Sequence, residues 1–322
     1  MQLYPLKFEP ILKERLWGGS KLKDVFGKAI PSEITGESWE LSAVPGDVSL
    51  VANGALQGKS LQFLIDTYQS DLLGKSVLQR FGTEFPILIK FIDANKDLSI
   101  QLHPNDELAK QRHNSFGKTE MWYIMDADPG AQLIVGFNRD VEKEEYKESL
   151  KNNTLLELLN YEDVEEGDTY FINTGKIHAI GAGVLLAEIQ QTSDVTYRVF
   201  DFNRKDKNGN LRELHTDLAL DAIDYSRKDD FKVAYSKTKN TTNAMVDCPY
   251  FKTNALILDG SYQQDISLSD SFTILMCVKG KATVKNDFGT VEVSKGETVL
   301  IPAASKELMI TTNNASLLEV TI

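Results

Sequence analysis

Apolar and polar positions along this chain change period several times, and each change predicts a different element. Residues 6–12 and 38–44 alternate as half-buried strands do, because successive strand side chains point to opposite faces. Trp17-Gly18-Gly19 between them reads as a turn, and residues 20–26 as a short helix capped by Ser20. Over residues 60–81 the period lengthens. Leu61, Leu64, Ile65 and Tyr68 recur at helix spacing, with a break at Gly74. Residues 85–92 form a nearly unbroken apolar run, the mark of a strand covered on both faces, and Lys90 interrupts it. A lysine is rarely buried alone, so Lys90 either reaches solvent or meets an anion.

Residues 98–104 have the most informative pattern. Ser99, Gln101 and His103 fall on one face of a short strand, and Ile100 and Leu102 on the other. Pro104 ends the strand, and residues 106–112 read as a helix. A polar row with an imidazole on a buryable strand points to a metal; a half-exposed strand with a surface histidine is the alternative. Strands are expected at 120–127 and 132–137, paired through the turn Asp128-Pro129-Gly130. Residues 141–159 read as two helices meeting at Asn152-Asn153. Strands return at 169–172, 183–190 and 196–202. Asp206-Lys207-Asn208-Gly209 is a loop tip, and a helix capped by Thr216 is expected over 216–225. From residue 231 to 322 the chain is strand and turn, at intervals of about 8–12 residues, as in a sandwich or barrel.

An internal likeness organises these elements. Residues 167–173 resemble 296–302, and Tyr123-Ile124-Met125 resembles Ile274-Leu275-Met276. The offsets differ by about the length of the helical stretch, so the first copy carries a helical insert. Glu120 then aligns with Ser271 and His178 with Glu307. The expected fold is mainly β, with two related β-barrels and helical inserts in the N-terminal half. Residues 1–230 would form the metal-binding domain and residues 231–322 a repeat without ligands.

Composition narrows the functions. The 322 residues suit roughly two domains, and the net charge of −12 argues against nucleic acid and anionic membranes as partners. A local cationic cleft for a small anion is still compatible with it. Cys248 and Cys277 have no metal or redox spacing, so reduced thiols and a cytoplasmic location are expected. The opening residues show no basic and apolar leader pattern, and no apolar run reaches about 18 residues.

Candidate ligands come from three strands: Gln101 and His103, then Glu120, then His178. Two imidazoles and a carboxylate match a catalytic zinc set with room for water or substrate. They equally suit the facial triad of an Fe(II) oxygenase. Gln101 can add a carbonyl oxygen. His113 reads as solvent-facing and His215 as a local structural contact. Glu188 and Gln190 share one strand face, and Arg198 sits between aromatic neighbours. Glu188 and Arg198 either pair with each other or serve a bound anion.

Gln101-Leu102-His103-Pro104, Gly117-Lys118-Thr119-Glu120, Gly175-Lys176-Ile177-His178-Ala179 and the segment from Glu188 to Arg198 together resemble the type I mannose-6-phosphate isomerase family, in its short bacterial form. The likeness runs from Leu16-Trp17-Gly18-Gly19 to the C-terminal repeat. It implies that both barrels are cupin-like jelly rolls and that the activity interconverts mannose 6-phosphate and fructose 6-phosphate. It also implies one zinc per chain on Gln101, His103, Glu120 and His178, an essential Arg198, and phosphate contacts from Ser99, Lys90 and Lys118. Long members of the family carry a large helical domain, mostly missing here, and a lysine where this chain has Arg204, which leaves the role of Arg204 open. Glu188 is the expected proton carrier, since a carboxylate in an apolar strand holds its proton more tightly. Zinc-held water and groups near His178 are the alternatives. The expected partner is a phosphosugar, and the chain a monomer or homodimer. A sugar-phosphate-binding cupin without chemistry and an Fe(II) cupin oxygenase are the competing functions; Gln101 and the nearby lysines favour the phosphosugar.

Overall fold

The structure is a computed structural model that describes residues 2–205, 208–229 and 231–322. Two antiparallel sheets form its N-terminal half. The first runs in the order Ile11–Gly19, Thr35–Leu41, Ile87–Ala94, Val184–Gln191, Glu120–Ala127, Thr169–Ile172. The second runs Tyr197–Phe200, Ile100–Leu102, His178–Ile180, Gln132–Phe137, Leu159–Asp163. Their inner faces share a core that includes Trp17, Ile92, Trp122, Leu133, Val135 and Leu186.

Each outer face has its own cover. Ile87, Ile89, Phe91 and Met121 of the first sheet pack with Leu61, Leu64 and Ile65, and with Phe272, Ile274 and Val320 from the C-terminal half. The expected helical stretch is three helices, Leu61–Tyr68, Ser70–Leu73 and Lys75–Phe81, broken at Gln69 as well as at Gly74. The helix Lys143–Asn152 covers the second sheet, burying Tyr146 in a core with Ile100, Leu102 and Val199. This arrangement explains the unbroken apolar run of the Ile87–Ala94 strand, which is buried along its whole length.

The C-terminal half is a sheet of Thr242–Asp247, Lys252–Asp265, Glu307–Thr321, Thr273–Asn286 and Gly289–Ser294, with Thr298–Ile301 also pairing Thr273–Asn286. Register breaks at Leu258/Gly260, Cys277/Lys279 and Gly280/Thr283 interrupt its long strands. Its second face has a separate core containing Leu256, Leu275, Val284 and Ile310. The internal repeat is present in the pairing. Thr169 faces Tyr123 and Ile172 faces Glu120, just as Thr298 faces Met276 and Ile301 faces Thr273. Glu120 therefore corresponds to Thr273 rather than Ser271. The two-residue difference keeps the same strand face.

Several expectations change. The sheets remain open, with free edge strands, so closed barrels give way to facing sheets. Gln132–Phe137 does not pair with Glu120–Ala127; the turn at Asp128 carries the chain from one sheet to the other. Leu6 and Phe8 make only isolated bridges, and the first strand begins at Ile11. Trp17-Gly18-Gly19 is the end of that strand, not a turn. Gly18 is required by close approach, since a Cβ there would lie 2.4 Å from both Gly36 N and Ile34 O. The helix after His215 spans only Thr216–Ala219, with His215 rather than Thr216 at its N-cap; a turn follows in which the Ile223 amide donates to the Ala219 carbonyl, and the Asp224 amide then donates to the Gly175 carbonyl. Asn208 and Gly209 lie in a turn and bend; Asp206 and Lys207 of that loop tip lie outside the described residues. Among the described residues no helix is long and apolar enough to cross a membrane.

Gly18→Ala should lower stability by about 1–3 kcal/mol, the usual cost of inserting atoms where there is no room. An unchanged urea midpoint would show that the strand approach is not tight.

Candidate active site

Strand register builds the site. Across the first sheet Trp39 faces Lys90, Lys90 faces Glu188, and Glu188 faces Trp122. One step along, Gln190 faces Glu120. Across the second sheet His178 faces Gln101, and Gln101 faces Arg198. The polar members of both rows project between the sheets because alternate residues, such as Ile89, Phe91, Ala187 and Met121, fill the outer core. Lys90 is therefore not an anomaly in an apolar strand but part of this inner face.

The rows flank a cavity of about 420 Å³ lined by Ser99, Gln101, Lys90, Lys118, His178, Glu188 and Arg198. The chain has three tryptophans, and all of them, Trp17, Trp39 and Trp122, line it. His178 on its wall meets His103 and Glu120, which lie behind the lining; each of the three is buried, with one ligand atom apiece all within 4.8 Å of one another. Glu120 lies 3.6 Å from His103 Nε2 and 3.5 Å from His178 Nε2. His103 Nδ1 donates to the Val195 carbonyl (2.9 Å) and His178 Nδ1 to the Lys176 carbonyl (2.8 Å). Each Nε2 lone pair is thus turned toward Glu120, as metal-binding imidazoles are commonly oriented. His103 Nε2 and both Glu120 oxygens are buried without a hydrogen bond among the described residues. Unsatisfied groups of this kind are rare in protein interiors.

The electrostatics agree with a cation-binding pocket. Burial, with Lys118 and His178 nearby, holds His103 well below the ordinary imidazole value. Burial brings His178 down to about 4. Both imidazoles are then neutral and able to ligate. Burial pushes Glu120 up to about 7, opposed by Lys118 at 3.2 Å. A divalent cation would supply the missing charge and keep this carboxylate ionised. Gln101 sits beside the cluster, its side-chain amide 3.5 Å from His178 Nε2. Turning that amide over would present its oxygen instead. The residues present therefore fit a divalent metal of the kind that takes nitrogen and oxygen ligands.

Of the two alternatives the sequence leaves for Glu188, pairing with Arg198 is not the one formed. Its partner is Lys90 at 3.1 Å, not Arg198, and Trp122 Nε1 donates to it at 3.0 Å. Burial raises its affinity for a proton, but Lys90 and Lys118 outweigh that and hold it below the ordinary carboxylate value. Lys90 also donates to Gln190 (2.7 Å). Arg198 instead donates Nε to Ser99 Oγ (3.3 Å) and Nη1 to the Glu213 carbonyl (2.8 Å). The two remaining histidines are structural. His215 Nδ1 accepts from the Arg198 amide at 3.2 Å, and exposed His113 bonds the Tyr197 hydroxyl at 2.9 Å. Arg204 pairs with Asp201 and does not line the cavity. Trp122, Arg15, Glu37 and Arg212 line it without having been singled out from sequence. Trp122 was within reach, two residues after Glu120 on the same strand face. Arg212 carried no such signal.

Comparison with known proteins places these features in a family. Residues 5–131 match the family model "Phosphomannose isomerase type I, catalytic domain", and residues 240–321 match "Mannose-6-phosphate isomerase, cupin domain". The chain is 37% identical over 305 residues to mannose-6-phosphate isomerase ManA of Bacillus subtilis, covering 94% of each chain. It is 34% identical to mannose-6-phosphate isomerase of Streptococcus mutans, covering 94% of this chain and 93% of that one. The crystal structure of the Bacillus subtilis mannose 6-phosphate isomerase superposes with a TM-score of 0.90 at 33% identity, covering 99% of this chain and 100% of that one.

Stripping divalent metal with a chelator should lower the melting temperature by several degrees, and adding zinc back should restore it, because an ion bound only by the folded state stabilises it. A melting curve indifferent to both treatments would remove the metal from the site.

Proposed function

The chain belongs to the type I phosphomannose isomerase family, and from that premise we propose that it interconverts D-mannose 6-phosphate and D-fructose 6-phosphate, with one zinc ion held by Gln101, His103, Glu120 and His178. The observation that supports this most is the meeting of two neutral imidazoles with a buried carboxylate, its Oε1 without a hydrogen bond among the described residues, beside a cavity rich in basic groups. Two free cysteines are in keeping with a cytoplasmic setting.

Aldose–ketose exchange opens the sugar ring and moves a proton between C1 and C2 through an enediol. Zinc, when bound, supplies positive charge near a sugar oxygen that becomes negative in the transition state. Arg198 provides a second, preoriented positive group, its guanidinium fixed by Ser99 and by the Glu213 carbonyl. Glu188 is assigned the proton transfer. Lys90 and Trp122 keep it ionised, so it is ready to accept a proton rather than already holding one. Ser99, Lys90 and Lys118 are assigned to the phosphate, whose binding positions the reacting carbons. Lys90 and Lys118 already face Glu188 and Glu120, so each would divide its charge between its carboxylate and the phosphate. The three tryptophans line the cavity.

A coupled assay for mannose 6-phosphate isomerisation tests the activity; a purified, zinc-replete chain without turnover would refute it. Arg198→Ala should lower kcat roughly 100- to 1,000-fold, the range for losing a preorganised charge donor. Its zinc content should stay that of the wild type, and full activity in this variant would take the arginine out of the reaction. His103→Ala should lose zinc and activity together. Retained zinc with lost activity would make His103 a base rather than a ligand.

A further inference from the structure

We propose that Arg212 is a further phosphate-binding residue of this cavity, presenting its guanidinium to the dianionic end of the substrate beside Arg198. The proposal rests on the isomerase reading for its ligand, a sugar phosphate monoester.

Five basic side chains line the cavity: Arg15, Lys90, Lys118, Arg198 and Arg212. Three of them face a carboxylate of their own. Arg15 lies 2.8 Å from Glu37, Lys90 3.1 Å from Glu188 and Lys118 3.2 Å from Glu120. The other two do not. Arg198 bonds a hydroxyl and a carbonyl, neither of them charged. Arg212 gives Nε and Nη2 to Asp201, but Asp201 also takes Arg204, so one carboxylate serves two guanidinium groups. Around Arg198 three guanidinium groups, its own and those of Arg204 and Arg212, therefore meet the carboxylates of Asp201 and Glu213, a surplus of one positive charge, and Asp194 also lines the cavity.

That excess has a local signature. Arg198 and Arg212 line one cavity and repel each other, and an anion between them would relieve that repulsion. Donor capacity points the same way. Neither Nη2 of Arg198 nor Nη1 of Arg212 makes a hydrogen bond to the described residues. A guanidinium with one edge clamped on a carboxylate and the remaining nitrogen unmatched is preoriented for a tetrahedral oxyanion. Arg204 shares the Asp201 clamp, yet it donates onward to the Asp97 carbonyl and lines only a neighbouring groove with Leu150 and Leu211, which Arg212 borders as well. Of the two arginines on Asp201, only Arg212 also lines the cavity.

The test compares wild type, Arg212→Met, Arg212→Lys and Arg204→Met as zinc-loaded full chains. Inorganic phosphate is titrated by tryptophan fluorescence, since every tryptophan lines the cavity. KM and kcat for mannose 6-phosphate are measured in parallel. Arg212→Met should weaken phosphate binding and raise KM by about tenfold or more, with kcat within about threefold, because it loses a charged hydrogen bond to the non-reacting end. Arg212→Lys, with charge but no fork, should fall between Met and wild type. Arg204→Met breaks the same clamp outside the cavity and should stay within about threefold of wild type. Unchanged KM and phosphate affinity in Arg212→Met would overturn the assignment. Equal losses in Arg204→Met would also do so, by showing that the clamp alone matters. If Arg212→Met fails to fold, Arg212→Lys indistinguishable from wild type overturns it. Phosphate binding that depends on Arg212, without turnover of mannose 6-phosphate, would refute the isomerase reading and leave the anion site standing.

Discussion

Lys90 and Glu188, opposite each other in the middle of a buried sheet, set the terms for the N-terminal half. A carboxylate and an ammonium taken from water cost several kcal/mol each unless they meet each other and find hydrogen bonds. Here Trp122 and Gln190 complete the pair. The other face of the same strands is solidly apolar and packed against helices and the C-terminal half. A slip of one residue would drive both charges into that core and turn Phe91 and Ala187 toward the cavity. The register is thus fixed from the apolar side, and the polar side inherits its geometry. Function uses that inheritance: the same alternation that buries Met121 aims Glu120 and Trp122 inward.

The second consequence concerns the duplicated architecture. Thr273 stands at the C-terminal position that Glu120 occupies in the first half, and a threonine there supplies no carboxylate. The C-terminal half still contributes to the site from behind. Asp106 accepts from the Gly117 amide (2.8 Å), Gln191 Nε2 (3.0 Å) and the Tyr250 hydroxyl (2.7 Å). Gln191 in turn accepts from the Thr119 amide at 2.8 Å. These bonds steady the segment that carries Lys118 into Glu120. Tyr250 belongs to the C-terminal half, so that half braces the segment that carries Lys118 and Glu120.

Local pattern made part of this legible. The two-residue alternation around Gln101 and His103 marks a polar strand face from sequence alone, and the 120–127 strand has the bounds its pattern predicts. Lys90 stood out because a charge in an apolar run needs a partner. Its partner was not legible. Glu188 seemed as well matched to Arg198 by sequence, and only the pairing of Ile87–Ala94 with Val184–Gln191 brings Lys90 to it. The glycines after Trp17 misled for a related reason. They look like a turn locally, but their role is to let one strand approach another. The turn at Asp128 was visible, while the fact that it joins two different sheets depends on long-range pairing. Arg212 reaches the cavity from an irregular segment, where no period exists to read.

The account depends most on four side chains meeting at one ion, and anomalous scattering at the zinc edge from crystals of the zinc-loaded protein measures that directly. The expected result is a single strong peak per chain within bonding distance of His103 Nε2, His178 Nε2, Glu120 and Gln101, at about 2.0–2.2 Å for the nitrogen and carboxylate ligands. A peak elsewhere, or one that leaves either imidazole out, would contradict it.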